Sequence, residues 1–318
     1  MRKSKLLAII SAALMIIPVF AKDVKTSFSL TTDFAYKPAT AFVAGPTHFA
    51  PVTGVYGGVE GRIVPDFCIS LPTPLGESWL VKNASVDFDF KIEITPVTIK
   101  PAYVITFTPL PFLVFSSGIE FGTGWNLFGL QGMALYNPET WTYSDLKAYF
   151  YKTYAQGVFQ FDLGAIIPGD WTHVLMMYTY QVYYQSITKA PNGDIWMWQC
   201  SGNKVNGSSN YQSLILAYGL PNDVIKRVGV MCELEGLYSS NSYKSDYSNF
   251  NGSFKNISIS PLAQFQFGEK DSLNAAIGIS SRRSFKEEHT DGNIEPKLTF
   301  QGREWYLYRA ALSYKHSF

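Results

Sequence analysis

Asp87, Asp89, Lys91 and Glu93 occupy every second position of one short segment, and Val86, Phe88, Phe90, Ile92 and Ile94 fill the alternate positions. Successive side chains of an extended chain point to opposite faces. The segment therefore sets a row of charge against a row of apolar groups. Charges are costly in a dry core unless they are paired, but they sit comfortably against a water-filled passage. There, fixed acids and bases attract, repel and orient passing solutes. Bond-breaking chemistry needs a different pattern, a base held against a nucleophile. His48, His173, His289 and His316 show no such pattern. They and Cys68, Cys200 and Cys232 also lack metal-ligand spacing, so neither an enzyme nor a cofactor is expected. The three cysteines leave room for a single disulfide.

The same alternation recurs along the chain, over 28–36, 59–69, 86–94, 99–107, 113–121, 156–165, 173–185, 214–218, 227–239, 256–267, 273–282 and 304–318. The polar faces of these segments carry Glu60, Arg62, Glu120, Asp162, Arg227 and Glu233, and further on Glu235, Arg282 and Arg309. Most segments are long enough to cross a bilayer as tilted strands, which takes roughly 9–11 residues. Twelve strands are predicted. Ten or fourteen are the alternatives, because the Pro/Gly-rich stretch 37–58 either hides a strand or forms a loop.

In the last segment Phe318, His316, Tyr314, Leu312, Ala310, Tyr308 and Tyr306 share one face. Ser317, Lys315, Ser313, Ala311, Arg309, Leu307 and Trp305 share the other. A free apolar strand edge invites aggregation, and closure of a barrel removes it. A final Phe behind alternating apolar residues resembles the C-terminal assembly signal of bacterial outer-membrane β-barrels, a porin-like class, with no particular family indicated. The resemblance implies an all-β, antiparallel transmembrane barrel surrounded by outer-membrane lipids. It also implies that Phe318, His316, Tyr314 and Leu312 are read by the barrel-assembly machinery.

The N-terminus agrees. Arg2, Lys3 and Lys5 precede an apolar run over 6–20, and Ala21 supplies a small residue for cleavage. Residues 1–21 are expected to be a removed secretory signal, leaving 22–318 as a single barrel domain. Charged residues are only 16% of the chain, against about 25% in soluble domains. The near balance of acids and bases leaves no basic excess for nucleic acid. A soluble β-sandwich fits less well, because these strands exceed the usual length of about 5–6 residues.

Connections alternate between short and long, as in barrels with short periplasmic turns and longer external loops. Only 95–98 departs from that rhythm. The expected function is a porin or small-solute channel with a mixed-charge lumen and a mild cation preference. The alternatives are a closed structural or adhesin-type barrel with ligand-binding loops, and a hydrophobic-compound transporter. Loop 123–149 is expected to constrict the pore, so that deletion of 126–140 widens it. Trp196 and Trp198, with Cys200 beside them, are expected to join the interfacial aromatic girdle rather than a ligand site.

Overall fold

The computed structural model describes residues 24–73, 75–239, 242–289 and 295–318. The expected signal, 1–21, lies outside them. Alternation at period two becomes strand wherever it occurs. The barrel strands are β1 (Lys25–Thr40), β2 (Val52–Pro72), β3 (Ser85–Ile94), β4 (Thr98–Leu110), β5 (Leu113–Gly124) and β6 (Phe150–Asp162). They continue as β7 (Val174–Ile187), β8 (Gly207–Gly219), β9 (Ile225–Leu237), β10 (Asn256–Phe267), β11 (Asp271–Phe285) and β12 (Phe300–Ser317). Each pairs antiparallel with the next, and β1 pairs antiparallel with β12 from Ser29↔Ser317 to Tyr36↔Ala310. The twelve-stranded antiparallel barrel is therefore closed, and every edge is used. No described helix is long and apolar enough to cross a membrane.

The outer wall is apolar. Phe90, Phe115, Phe121, Val230, Ile277 and Leu312 are among its exposed side chains. On β7, Val174, Tyr178, Tyr180, Val182 and Tyr184 are all exposed on the same face, as the alternation predicts. Burial of ordinary core type is found elsewhere, among the long connections at one end. The opposite end carries shorter links, among them 111–112, 220–224 and 268–270.

Three local expectations change. The stretch 37–58 adds no barrel strand: β1 and β2 extend into it, with register shifts where Lys37 pairs with Gly58, Ala39 with Gly54 and Thr40 with Val52, and between them the two-residue strand His48–Phe49 pairs parallel with Glu304 and Trp305 of the last strand. The pattern expected to run to 165 stops at Asp162, where the Asp162 carboxylate accepts from Gly164 N–H and caps a 3-10 turn over Leu163–Ala165.

The third change concerns β12. Gly278 pairs with Arg309 but Ile279 pairs with Leu307, so Tyr308 is the extra residue of a bulge. A bulge re-aims the side chains beyond it. Leu307 consequently shares the outer face of Ile279, whereas Tyr306 lies across from Ser280 on the inner face, its ring under the Arg282 guanidinium at 4.4 Å. Tyr306 and Tyr308 thus leave the apolar face on which strict alternation places them, and Leu307 joins it. Beyond the bulge the alternation holds. Tyr314 and His316 both reach the Asp271 carboxylate, at 2.5 and 2.6 Å, and Phe318 packs on Phe28 at 5.2 Å between ring centres. The three cysteines form no disulfide.

Candidate functional site: a charged belt beneath a folded plug

The register brings the inward charges of six neighbouring strands to similar heights. Asp33 on β1 pairs with Arg62 on β2, and Arg62 Nη1 donates to Glu93 on β3 at 3.1 Å. Lys100 on β4 lies 3.6 Å from Glu93 and 2.9 Å from Glu120 on β5. Lys152 on β6 lies 4.0 Å from Glu120 and sits over the Tyr183 ring of β7 at 4.5 Å. Tyr183 Oη donates to Glu235 on β9 at 2.5 Å, and Tyr211 on β8 donates to Glu233 at 2.7 Å. The result is a belt of alternating charge around more than half of the barrel. Lys91 and Asp66 form a pair at 3.3 Å, and Asp87 accepts from Ser70 and Ser85 at 2.5 and 3.3 Å. Asp89 lies opposite Cys68 in the β2–β3 register.

The remaining predicted residues occupy three other places, one of which is Arg282 against Glu304 among the long connections. Glu60 binds Lys37 and also faces Arg309 at 3.7 Å. Asp162 and Arg227 line a cavity of about 430 Å³ at the short-turn end, together with His173, Lys226, Gln264 and Gln266. Asp162 Oδ2 holds His173 Nδ1 at 2.8 Å there.

The long-connection end is covered by a second sheet. Two antiparallel pieces of loop 125–149, Met133–Asn137 and Thr142–Asp145, pair in line with Trp196–Trp198 and Ser201–Lys204 from loop 188–206. This four-stranded plug has a core of its own. Trp196 and Trp198 are 0% and 5% exposed, and Trp198 stacks on Phe150 at 4.4 Å. These tryptophans are therefore not girdle residues: loop 125–149 and the ends of β6 and β7 enclose them with Met133, Ala148 and Ile187. Loop 123–149, expected to constrict the pore, supplies two of the four plug strands, and the tip that reaches the belt belongs to loop 188–206.

That tip is the two-residue turn Gln199–Cys200, with φ of 51° and 60°. A tight hairpin of this hand normally takes Asn-Gly, because both central residues need positive φ. For Gln and Cys that conformation costs roughly 1–2 kcal/mol each, which packing must offset. Gln199 N–H and Cys200 N–H donate to Gly132 and Gln131 carbonyls, at 2.8 and 3.0 Å. The Gln199 side chain donates to Glu93 at 2.6 Å and Thr98 at 3.0 Å. The plug is thereby fastened to the charged belt. Sequence reading missed Gln199, since nothing in a Gln-Cys pair signals a turn.

Gly132 is the close-approach point of the plug base. A Cβ there would lie 2.0 Å from the Val97 carbonyl oxygen and 2.8 Å from that of Trp125. Gly132→Ala is expected to displace the plug and cost about 1–3 kcal/mol, seen as a lower thermal midpoint and faster proteolysis within 125–149. Wild-type values for both would remove this assignment.

Asn203 joins the plug to the other loops. Its N–H donates to Tyr143 Oη at 2.9 Å, its carbonyl accepts from Tyr243 Oη at 2.6 Å, and its side-chain amide donates to Glu295 at 2.6 Å. Burial pushes the Tyr143 phenol up, keeping its proton in place for hydrogen bonding. Glu295 in turn lies 3.1 Å from His289 Nδ1. His289 Nε2 faces Glu304 at 3.6 Å, an ion-pair distance rather than a hydrogen bond. Fully buried Glu304 also binds Arg282, accepts from Val43 N–H at 2.9 Å and contacts His48 Nε2 at 3.0 Å.

Burial disfavours the charged His289 imidazole, but hydrogen bonding and the two carboxylates outweigh it, so its pKa is raised. A raised folded pKa gives stability that is complete below the unfolded value of about 6.5 and is lost as pH climbs through the folded value. Amide protection in 286–289 and 295–299 is accordingly expected to fall as pH rises above the ordinary imidazole value of about 6.5, after correction for intrinsic exchange. His289→Gln should flatten that dependence. A dependence that survives the substitution would assign it to another group.

No protein-family profile and no curated protein sequence matches the chain. Solved structures of low likeness do. An outer membrane channel from Pseudomonas putida F1 is 10% identical with a TM-score of 0.44, over 94% of this chain and 97% of that one. The KdgM porin is 9% identical with a TM-score of 0.40, over 91% and 99%. The β domain of the Bordetella autotransporter Brka is 9% identical with a TM-score of 0.40, over 91% and 98%.

Proposed function

We propose that this protein is a bacterial outer-membrane channel for small polar solutes, narrowed by its plug. The observation that carries the reading is the closed barrel with an apolar outer wall and a belt of charge inside, which gives lipid and water one face each. Residues 1–21 serve as the cleaved export signal. The strand ending in Leu312, Tyr314, His316 and Phe318 serves as the assembly signal. The interior residues named above line the passage, and transport involves no reaction within it.

A mild cation preference follows from how the acids are held. Asp87, Glu233 and Glu235 accept from hydroxyl groups of Ser70, Tyr211 and Tyr183, which leave their charge in place. Detergent-folded protein in a planar bilayer is expected to give discrete conductance steps. In a potassium chloride gradient the reversal potential should lie on the cation side. Silence from folded, inserted protein would favour a closed barrel with binding loops, a reading supported by the compact plug. An anion-sided reversal would remove the cation preference alone.

A further inference from the structure

Beneath the plug lies a chamber of about 760 Å³, within the range of ligand-binding cavities. Its charges are segregated. Along one wall, Lys37 on β1 and Arg309 on β12 share a single carboxylate, Glu60 on β2. That wall carries an excess positive charge. Glu233 and Glu235 on β9 line another wall, and each accepts from a neutral tyrosine hydroxyl. That wall is negative. In the ring of twelve strands, β12 and β1 stand three and four places round from β9, so the two walls stand a quarter to a third of a turn apart across the chamber.

The other ionic groups around the chamber are engaged locally. Arg282 is held by Glu304 and lies between the Phe42 and Tyr306 rings, at 3.7 and 4.4 Å. Arg283 lies over Phe250 at 3.9 Å and donates to the Asn251 carbonyl at 3.1 Å. Glu295 is taken by Asn203 and His289. Lys152 rests against Glu120 and the Tyr183 ring. Lys204 enters from the plug. Tyr306 and Tyr308, turned inward by the bulge, add polarisable faces to the positive wall.

We propose that this chamber binds a short zwitterionic peptide-like solute, with its ammonium group at Glu233 and Glu235 and its carboxylate at Lys37 and Arg309. The inference rests on the channel reading and names its solute class. With strands about 4.8 Å apart and tilted about 40°, the ring is about 24 Å across, and backbones a quarter to a third of a turn apart stand about 17–21 Å from each other. Side chains reaching in from both walls leave on the order of 10 Å, the span of three extended residues. Opposite charge at the two ends of one solute satisfies both walls at once. A singly charged solute satisfies one wall and leaves the other solvated.

The test is calorimetric titration of the full detergent-folded chain with trialanine, N-acetyl-trialanine and trialanine amide. Trialanine is expected to bind roughly tenfold tighter than either derivative, the effect of one extra charge-assisted contact. Glu233→Gln with Glu235→Gln should reduce trialanine to the affinity of the acetylated peptide and leave the acetylated peptide unchanged. Lys37→Gln with Arg309→Gln should do the converse with the amide. Far-UV circular dichroism identifies the folded variants. Equal affinity for all three peptides, or no heat from any of them, overturns the proposal. Because binding is read without ion flow, a chain that binds but does not conduct refutes only the channel reading. One that conducts but does not bind refutes only this inference.

Discussion

Replacing Trp196–Lys204 with a short glycine-serine link is expected to raise single-channel conductance about threefold, because the link removes the segment that narrows the pore. The plug tip at Gln199–Cys200 is fastened to the barrel through Glu93 and Thr98. Removing it detaches the plug from the belt and opens the chamber to the long-loop end. Deleting 126–140 should act in the same direction, since Met133–Asn137 is the strand that pairs with Trp196–Trp198. Gln199→Ala is the gentler variant. It keeps the Trp198–Phe150 stack, worth about 0.5–1.5 kcal/mol beyond burial, but loses the two belt contacts. It should leave the main conductance level unchanged and increase brief openings. Wild-type conductance in a folded variant lacking the hairpin would mean that the restriction lies elsewhere.

Glu304→Ala is expected to destabilise the protein by about 3–5 kcal/mol, the usual cost of stranding one partner of a buried ion pair. Glu304 is fully buried and serves Arg282, His48, His289 and the Val43 amide. Its loss strands the Arg282 guanidinium between Phe42 and Tyr306 and removes the side-chain contacts that Val43 and His48 of the 41–51 connection make with β12. Such barrels tend to unfold irreversibly, so the useful measures are the rate of unfolding in denaturant and cleavage at the long-loop end. Glu304→Gln should fall between the two, because an amide oxygen still accepts from Val43 but carries no charge for Arg282. An unfolding rate equal to wild type for Glu304→Ala would show that water replaces the carboxylate and that the network is not structural.

The charged belt was largely legible in the sequence, whereas the plug was not. Asp87, Lys91 and Glu93 stood out because their strand separates an apolar face from a polar one, and a period of two survives in the order of residues. Glu60, Arg62, Glu120, Glu233 and Glu235 stood out in the same way. Tyr306 and Tyr308 misled, because a bulge in β12 changes the phase of alternation without any Gly or Pro to announce it. Trp196 and Trp198 misled because exposed aromatics in barrels gather at interfaces, while these two found a partner loop more than fifty residues earlier.

By itself, then, the sequence determined the all-β class, favoured twelve strands over ten or fourteen, and marked the side of the strands that faces outward except beyond the β12 bulge. Those properties depend on neighbours one or two positions away, and chain order records such neighbours directly. Only the tertiary structure decided that Arg62 and Lys100 meet on Glu93, that Glu304 ties β12 to the loops, and that Gln199 descends onto the belt. Each of these depends on strand register or on loop-to-loop packing between residues far apart in the chain. The energy that selects them resides in contacts that do not exist until the barrel closes.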